Sequence, residues 1–335
     1  MDIDVFVAAH RAEWNRLDAL VRQRGRRTGA EVDDLVDLYQ RVATHLSVVR
    51  SSTPDPALVT QLSSLVTRAR SAVTGAHAPA WKDAVRFFTR QFPAAVYRSR
   101  YWWIGTAAAF AAVSAIAGAW VATRPQVQAT IAAPDEIREM TRPGGQFETY
   151  YSSAPAGSFA AQVWTNNAWV AAGCLFFGVL LGIPVVYILW QNALNVAVGA
   201  GLMASVGRLD VFFGLIIPHG LLELTGVFVA AGTGLRLGWA VIDPGPRTRQ
   251  AALAAEGRTV AGMALGLVCL FLVAGVIEAF VTPSGLPTWA RIAVGIAAET
   301  AFLGYVFTLG RAAARAGETG DLVAADRGDL LPTAG

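Results

Sequence analysis

Hydrophobic and polar positions divide the chain into two regions. In residues 1–102, apolar residues recur every three or four positions among charged ones, which is the period of amphipathic helices. From residue 103 to residue 312 the apolar residues form continuous runs of about 20 residues, a length that crosses a bilayer as a helix. The pattern therefore predicts an all-α, polytopic membrane protein with about six spans and an N-terminal cytoplasmic helical bundle.

Residues 1–78 are predicted to form a cytoplasmic three-helix bundle. Each helix has one apolar stripe, marked by Trp14 in the first, Leu35 in the second and Leu62 in the third. Short polar connections favour packing of such helices into a bundle, for which a scaffold or partner-docking role is the simplest expectation. The first residues lack the apolar core of a cleavable signal peptide, so we expect the internal spans to direct insertion.

Residues 79–102 are predicted to form an amphipathic juxtamembrane helix. Trp81, Val85 and Phe88 fall on one face, and basic residues fall on the other. Such a helix can lie in the headgroup plane, although the charges can equally act only as a topology signal. The basic residues expected at the membrane surface are Lys82, Arg86, Arg90, Arg98 and Arg100.

The apolar runs predict the number and direction of the spans. A short run at 192–206 is ambiguous between a sixth crossing and a re-entrant loop. Arg-rich segments before the first span and after the span at 210–234 should be cytoplasmic. A crossing at 192–206 then places both termini in the cytoplasm, whereas a re-entrant loop would place the C-terminus outside. The clear spans are predicted at 103–123, 168–190, 210–234, 259–281 and 288–310.

The membrane region 103–312 contains one large segment outside the predicted spans, and a tail follows the region. Residues 124–167 form the one large external segment, and connections of this length are often functional. Residues 313–335 are polar and are predicted to be a disordered cytoplasmic tail.

Small residues at helical spacing predict close helix packing. Gly178 and Gly182 form a GxxxG pattern in the second predicted span, and Gly262 and Gly266 form another in the fifth. This spacing lets helix backbones approach closely in lipid. Packing within one chain is the commoner use of the pattern, and a homo-oligomer contact is the alternative.

The predicted span that begins near residue 210 contains the most informative polar residues. His219 and Glu223 are four positions apart, so they share one helix face. Counting about 1.5 Å per residue places Glu299 at a compatible depth and Glu278 nearer the external end. Pro218 removes a backbone N–H and is expected to bend the helix. The predicted intramembrane polar site comprises His219, Glu223, Glu299, Glu278, Asn192 and Asn195.

Three uses of this polar site stay open. Ionisable groups in a span often mark a proton relay or transport path. His219 and Glu223 supply two metal donors, to which Glu299 would add a third. Each residue can also be structural, through hydrogen bonds to neighbouring helices. No HExxH, GxSxG or P-loop motif is present, so we expect no catalysis, no bound metal and no cofactor.

Composition narrows the class of protein without identifying its function. Hydrophobic residues make up 54% of the chain and charged residues 15%, which excludes an ordinary soluble protein. The net charge of +3 is small, and Lys82 is the single lysine, so a nucleic-acid partner is not indicated. Cys174 and Cys269 lie in apolar runs and form no disulfide or metal-binding framework.

Several of these features together resemble the stage II sporulation protein M family. The resemblance includes a Trp-x-x-Leu helix at 14–17, a Leu-x-x-Leu-Tyr helix at 35–39 and a Leu-x-x-Leu-Val-x-x-Ala helix at 62–69. It also includes an FFxxxFP segment at 87–93. Within the membrane it includes the Pro-His-Gly-x-x-Glu motif at 218–223 and Ile-Glu-Ala-Phe-Val-Thr-Pro at 277–283.

This resemblance implies a multi-pass plasma membrane protein that acts as a scaffold. The family's namesake looks like a membrane scaffold that brings peptidoglycan-degrading proteins to the septum during engulfment. The implied partners are membrane lipid and envelope or peptidoglycan-remodelling proteins. A transporter or channel with an intramembrane His/Glu relay is the alternative function, and an intramembrane enzyme is the third.

Overall fold

The computed structural model describes residues 3–23, 28–52, 56–73, 80–149 and 156–321. These residues form helices and turns, with no strand among them. The chain divides into two compact units, Met1–Ala84 and Val85–Gly335, and each is described here by itself.

The N-terminal unit is a bundle of three helices with its own apolar core. The helices are α1 (Ile3–Arg22), α2 (Gly29–Ser52) and α3 (Pro56–Val73), followed by α4 (Ala80–Arg86), within which the unit ends. Helices α1, α2 and α3 pack against one another in all three pairs. The buried core comprises Trp14, Leu17, Leu20, Leu35, Leu38, Val42, Leu46, Val49, Leu62, Leu65 and Ala69.

A capping interaction fixes the start of α2. The backbone N–H of Thr28 donates to a carboxylate oxygen of Glu31 at 2.7 Å, and the Glu31 N–H donates back to the Thr28 hydroxyl. This reciprocal arrangement satisfies donors that have no partner within the helix. The backbone hydrogen bond from Thr28 is the main cause that lowers the pKa of Glu31.

The second unit is built from long apolar helices and a few short ones. The end of α4 leads into a π-helical segment, Phe87–Gln91, and a second π-helical segment, Val306–Gly310, precedes the last helix. The α-helices of this unit are α5 (Phe92–Arg98), α6 (Arg100–Thr123), α7 (Pro125–Ile131), α8 (Pro134–Thr141), α9 (Gln146–Thr149), α10 (Ala156–Phe177), α11 (Ile183–Ser205), α12 (Leu209–Ile242), α13 (Arg249–Phe280), α14 (Thr288–Tyr305) and α15 (Arg311–Arg315).

Five helical stretches in the described part of the chain are long and apolar enough to cross a membrane. Helix α10, with 22 residues, is a further long helix of the second unit and packs against α11, α12 and α13. The prediction of an all-α polytopic membrane protein is therefore confirmed. The five stretches are Arg100–Thr123, Ile183–Ser205, Leu209–Ile242, Arg249–Phe280 and Thr288–Arg315.

The predicted span at 168–190 is wrong, because a turn interrupts it. Helix α10 ends at Phe177, and α11 then runs without a break through the ambiguous stretch 192–206. That stretch is therefore the second half of one long helix, neither a separate crossing nor a re-entrant loop. Gly182 has a φ of 73° at the start of α11, with a proline in its first turn. The turn residues are as apolar as the helices, so hydropathy does not reveal the break.

The segment between the first two long membrane-region helices is shorter than the predicted external segment 124–167, and much of it is helical. Helices α7, α8 and α9 occupy much of it, and α10 already begins at Ala156. Ile137 of α8 packs with Val121 and Leu202 in a small apolar core. Arg208 donates to the carbonyl of Thr141 and pairs with Glu148. We call residues 125–149 the helical cap, since they fold against one end of the membrane helices.

The predicted glycine motifs pack closely, but only one lies within a helix. Gly178 and Gly182 lie in the turn between α10 and α11, so the prediction that they form a helix face is wrong. Gly178 contacts the backbone of Gly234 in α12 and leaves no room for a Cβ atom. Gly266 is equally tight against the ring of Phe92, and Gly262 is buried in α13.

The predicted surface helix 79–102 is partly a core element. Phe92 and Val96 of α5 are buried, because α5 packs against α13 and the second π-helical segment. Lys82, Arg90 and Arg98 are exposed, and their contact with the membrane surface stays a prediction. The two remaining basic residues have protein partners: Arg86 pairs with Glu318 at 3.5 Å, and Arg100 lies over the rings of Tyr97 and Tyr101.

The predicted disordered tail 313–335 is partly folded. Helix α15 extends to Arg315, and Asp321 is buried and pairs with Arg258 at 2.8 Å. A buried, charge-paired aspartate anchors this stretch to α13. The remainder of the predicted tail, residues 322–335, lies outside the described residues.

Candidate functional site: a buried histidine–glutamate cluster

Helices α10, α12 and α13 pack against one another and position the site. His219 and Glu223 are one turn apart on α12, with relative exposures of 5% and 6%. Glu278 lies near the end of α13 and is 1% exposed. One nitrogen or oxygen atom from each of these three side chains lies within 4.8 Å of the others, and we call them the membrane cluster.

Polar side chains from neighbouring segments contact the membrane cluster. The Nδ2 atom of Asn167 in α10 donates to Oε2 of Glu223 at 2.9 Å. The Nδ1 atom of His219 lies 3.2 Å from the hydroxyl of Thr282, and its Nε2 atom lies 3.7 Å from Oε1 of Glu278. Arg291 donates to the Thr282 carbonyl at 2.8 Å and so holds that residue in place. The cluster is therefore set within a polar network inside apolar helices.

The structure brings together a different set of acids from the one that depth predicted. Glu278 joins His219, whereas Glu299 instead accepts a hydrogen bond from Thr225 at 2.9 Å. The predicted grouping of Glu299 with His219 and Glu223 is wrong, because the depths were counted from helix ends that are not level. His219 lies well inside α12, while Glu278 lies near the end of α13, so the two helices are staggered along the bundle.

The two predicted asparagines belong to other surroundings. Both lie near the middle of α11, because the expected boundary of a third span does not exist. The Nδ2 atom of Asn192 donates to the Ile188 carbonyl at 2.8 Å. Asn195 lines a cavity of about 740 Å³ between α11 and the helical cap. Neither belongs to the membrane cluster.

Pro218 lies inside α12, which continues as a helix on both sides of it. Gly295 of α14 packs directly on this region, and a Cβ atom there would lie 2.6 Å from the Pro218 carbonyl oxygen. Close approach of α14 therefore depends on the missing side chain. The predicted bend at Pro218 stays a prediction.

Asn167 and Thr282 are parts of the site that the predicted set lacks. Asn167 falls at the end of the predicted external segment, and only the early start of α10 places it inside the bundle. Thr282 stands within the quoted 277–283 motif, but its position beyond the predicted span gave it no role. A polar amide within an apolar helical stretch is the signal that would have identified Asn167.

A second histidine–glutamate group lies in the N-terminal unit. The Nε1 atom of Trp14 donates to Nδ1 of His45 at 3.2 Å, and Arg41 donates to Glu13 at 3.4 Å. Burial, followed by the charge of the neighbouring histidine, lowers the pKa of His45. No sequence pattern indicated this group. We call it the bundle cluster, and it comprises His10, Glu13 and His45.

The membrane cluster gathers groups that accept hydrogen bonds, and two of its carboxylate oxygens have no donor among the described residues. Oxygens Oε1 of Glu223 and Oε2 of Glu278 are buried and accept no hydrogen bond from the described residues. Two carboxylates and an imidazole this close need a proton or a cation between them in a medium of low dielectric constant. The arrangement can therefore bind a positively charged species.

The structure is that of a polytopic α-helical membrane protein with an ionisable cluster inside its helix bundle. The family model for Stage II sporulation protein M matches residues 107–283, more than half of the chain, so the chain belongs to this family. The match includes the whole membrane cluster and ends before Glu299. The predicted family is thus confirmed.

A second family model, a domain of unknown function (DUF8413), matches residues 4–75 of the N-terminal unit. No curated protein matches the chain, and no solved structure does. Membership of the sporulation protein M family is consistent with a sporulation-related membrane protein.

Proposed function

We propose that the protein is an integral membrane scaffold for a cell-envelope or differentiation complex and has no catalytic activity of its own. It would lie in the plasma membrane with both termini in the cytoplasm. Membrane lipid and envelope or peptidoglycan-remodelling proteins would be its partners. Family membership supports the setting, and the folded helical cap supports the scaffold role.

The single observation that carries the proposal is the open cavity beneath the cap. Its rim carries the acids Asp135, Glu136 and Glu139, and its floor includes Phe147 and Leu202. An apolar floor with a polar rim is the usual anatomy of a protein-binding surface. Side-chain hydrogen bonding to Arg142 is the main cause that lowers the pKa of Glu139, which favours the ionised form of this carboxyl group. This surface would suit a partner segment with basic and apolar residues.

The distribution of arginines supports the proposed orientation. Arg236 pairs with Glu256, and Arg247 lies nearby, at the end of the bundle opposite the cap. Positive residues concentrate on the cytoplasmic side of membrane proteins. In a cysteine-free background, a cysteine at Ala133 in the cap should react with an impermeant reagent in intact cells. One at Ala251 should react only after permeabilisation, and the reverse pattern would reject the orientation.

Charge reversal on the cavity rim tests the scaffold role. Asp135→Lys places a positive charge at the rim of the cavity, whereas Arg138→Glu reverses a charge on the same helix outside it. We expect Asp135→Lys to reduce cross-linking to envelope or peptidoglycan-remodelling proteins several-fold at unchanged membrane abundance. Arg138→Glu should retain it. Equal cross-linking in the two variants would exclude the cavity as the partner site.

A transporter or channel is the second candidate, and the membrane cluster favours it. Ionisable residues buried among spans often line ion pathways. Flux of protons or small solutes through purified protein in liposomes distinguishes the two functions. The scaffold proposal expects no flux above empty liposomes, whereas flux that Glu223→Gln abolishes would establish transport.

A further inference from the structure

The membrane cluster has the donor set of a metal centre. His219 offers an imidazole nitrogen, and Glu223 and Glu278 each offer carboxylate oxygens, all within 4.8 Å. Imidazole and carboxylate ligands of this kind bind zinc, manganese and iron in proteins. Two ionised carboxylates would carry two negative charges, which one divalent cation neutralises.

The distance between the histidine and the glutamate fits a shared ion better than a direct bond. Nε2 of His219 and Oε1 of Glu278 are 3.7 Å apart, beyond hydrogen-bond range. Two ligands about 2.1 Å from a tetrahedral metal ion are roughly 3.4 Å apart. The observed separation is therefore close to that of two ligands on one ion.

The surroundings of His219 also match those of a metal-bound histidine. Such histidines usually donate their second ring N–H to an oxygen, which fixes the tautomer and orients the ring. The Thr282 hydroxyl lies 3.2 Å from Nδ1, and Arg291 holds the Thr282 backbone. Nε2 is then the nitrogen that faces Glu278. The Asn167 amide holds one oxygen of Glu223 and leaves its buried Oε1 for another partner.

Burial alone does not distinguish this site, and Glu299 shows why. Its Oε2 atom is also buried without a hydrogen bond in the described part of the chain. However, Glu299 belongs to no cluster of ligating side chains among those residues. A lone buried carboxyl can be neutralised by one proton, whereas the membrane cluster combines two carboxylates with a histidine in ligand geometry.

We propose that His219, Glu223 and Glu278 bind one divalent transition-metal ion within the membrane domain. Three protein ligands leave a fourth position open for water or another small ligand. This site is independent of the scaffold proposal, since metal binding needs no partner protein. Glu299 lies outside it and serves as the matched control.

Metal binding by the purified full-length protein tests the proposal directly. After chelator treatment, Zn²⁺ and Mn²⁺ are titrated separately into the protein in detergent. We expect about one equivalent of at least one ion to bind wild type and Glu299→Gln. His219→Ala, Glu223→Gln and Glu278→Gln should each bind at least about tenfold more weakly, and Thr282→Val should weaken binding while keeping every ligand. Equal affinity in the cluster variants would overturn the proposal.

A measurement on the wild-type protein tests the proposal even if the cluster variants fail to fold. Co²⁺ bound by one nitrogen and carboxylates in a tetrahedral site should give intense visible absorption, and Zn²⁺ should displace it. Failure of the folded wild type to bind Zn²⁺, Mn²⁺ or Co²⁺ stoichiometrically would overturn the proposal, and the carboxyls would then share protons. A Co²⁺ spectrum typical of six water or oxygen ligands would overturn it too.

Discussion

The bundle cluster and the membrane cluster contain the same two residue types in opposite surroundings. In the bundle cluster, the side chains of His45 and Glu13 are 13% and 31% exposed, and a tryptophan and an arginine donate to them. In the membrane cluster, His219 and Glu278 are 6% and 1% exposed. Water can compensate a mismatch of donors and acceptors in the first group. In the second, the protein or a bound cation must do so.

Similar side chains therefore carry different energetic consequences in the two clusters. A partly exposed group loses less when one contact is removed, because solvent can replace that contact. A buried group depends on each neighbour and on tight packing around it. Substitutions matched between the two surroundings should reveal this difference.

The largest effect is expected from Gly295→Ala. The added Cβ would lie 2.6 Å from the Pro218 carbonyl oxygen, so α14 must move away from α12 beside the cluster. We expect a loss of about 3 kcal/mol in unfolding free energy, measured by SDS titration in mixed micelles. Gly304→Ala in the same helix meets no atom within 4 Å and should have little effect. Equal stability of the two variants would show that α14 packs loosely.

A smaller loss is expected from Asn167→Leu. The substitution removes the hydrogen bond to the buried carboxylate of Glu223 and should cost about 2 kcal/mol in the same titration. Asn166→Leu, at the exposed neighbouring position, is the control and should be neutral or stabilising in detergent. Equal losses from both changes would mean that the Asn167 contact contributes nothing specific.

Trp14→Phe should have a still smaller effect on the N-terminal unit. It retains most of the apolar volume but removes the indole donor to His45, at a cost of about 1 kcal/mol. Hydrogen exchange of α1–α3 in the full-length protein measures this loss. Trp169→Phe, at a position that is 74% exposed, should leave exchange unchanged. A loss of stability larger than that caused by Asn167→Leu would contradict the expectation that the membrane cluster is the more sensitive of the two clusters.

The smallest expected effect is a dependence of the stability of the N-terminal unit on pH, caused by the bundle cluster. The lowered pKa of His45 means that the folded unit prefers its neutral form. The unfolded chain then binds protons more readily, so stability falls as the pH drops below about 6.5. Glu13 opposes this trend, whereas His10 and Arg41 reinforce it. Hydrogen exchange at two pH values checks this, and His45→Gln should flatten the dependence. An unchanged dependence in that variant would assign it to another group.

Features that depend only on the spacing and length of residues within one helix could be predicted from the sequence. Helical spacing placed His219 and Glu223 on one face, and length identified the apolar helices. Glu278 could not be placed in this way, because the axial offset between α12 and α13 depends on packing across the bundle. Asn167 required the correct start of α10, which hydropathy places too late.

Breaks between apolar helices were harder to predict than the helices themselves. The turn after α10 contains Val179, Leu180 and Leu181, which are as hydrophobic as their helical neighbours. The glycines on either side indicated packing at helical spacing, whereas they in fact end one helix and begin the next. Composition does not separate these two uses of glycine.

The same uncharged turn has a consequence for how the protein is made. Because residues 178–182 contain no lysine or arginine, they give the insertion machinery no signal for retention in the cytoplasm. The short turn also makes α10 and α11 a hairpin, which can enter the bilayer as a single unit. The arginines at the start of α6 and those that follow α12 would then set the direction of the pair during synthesis.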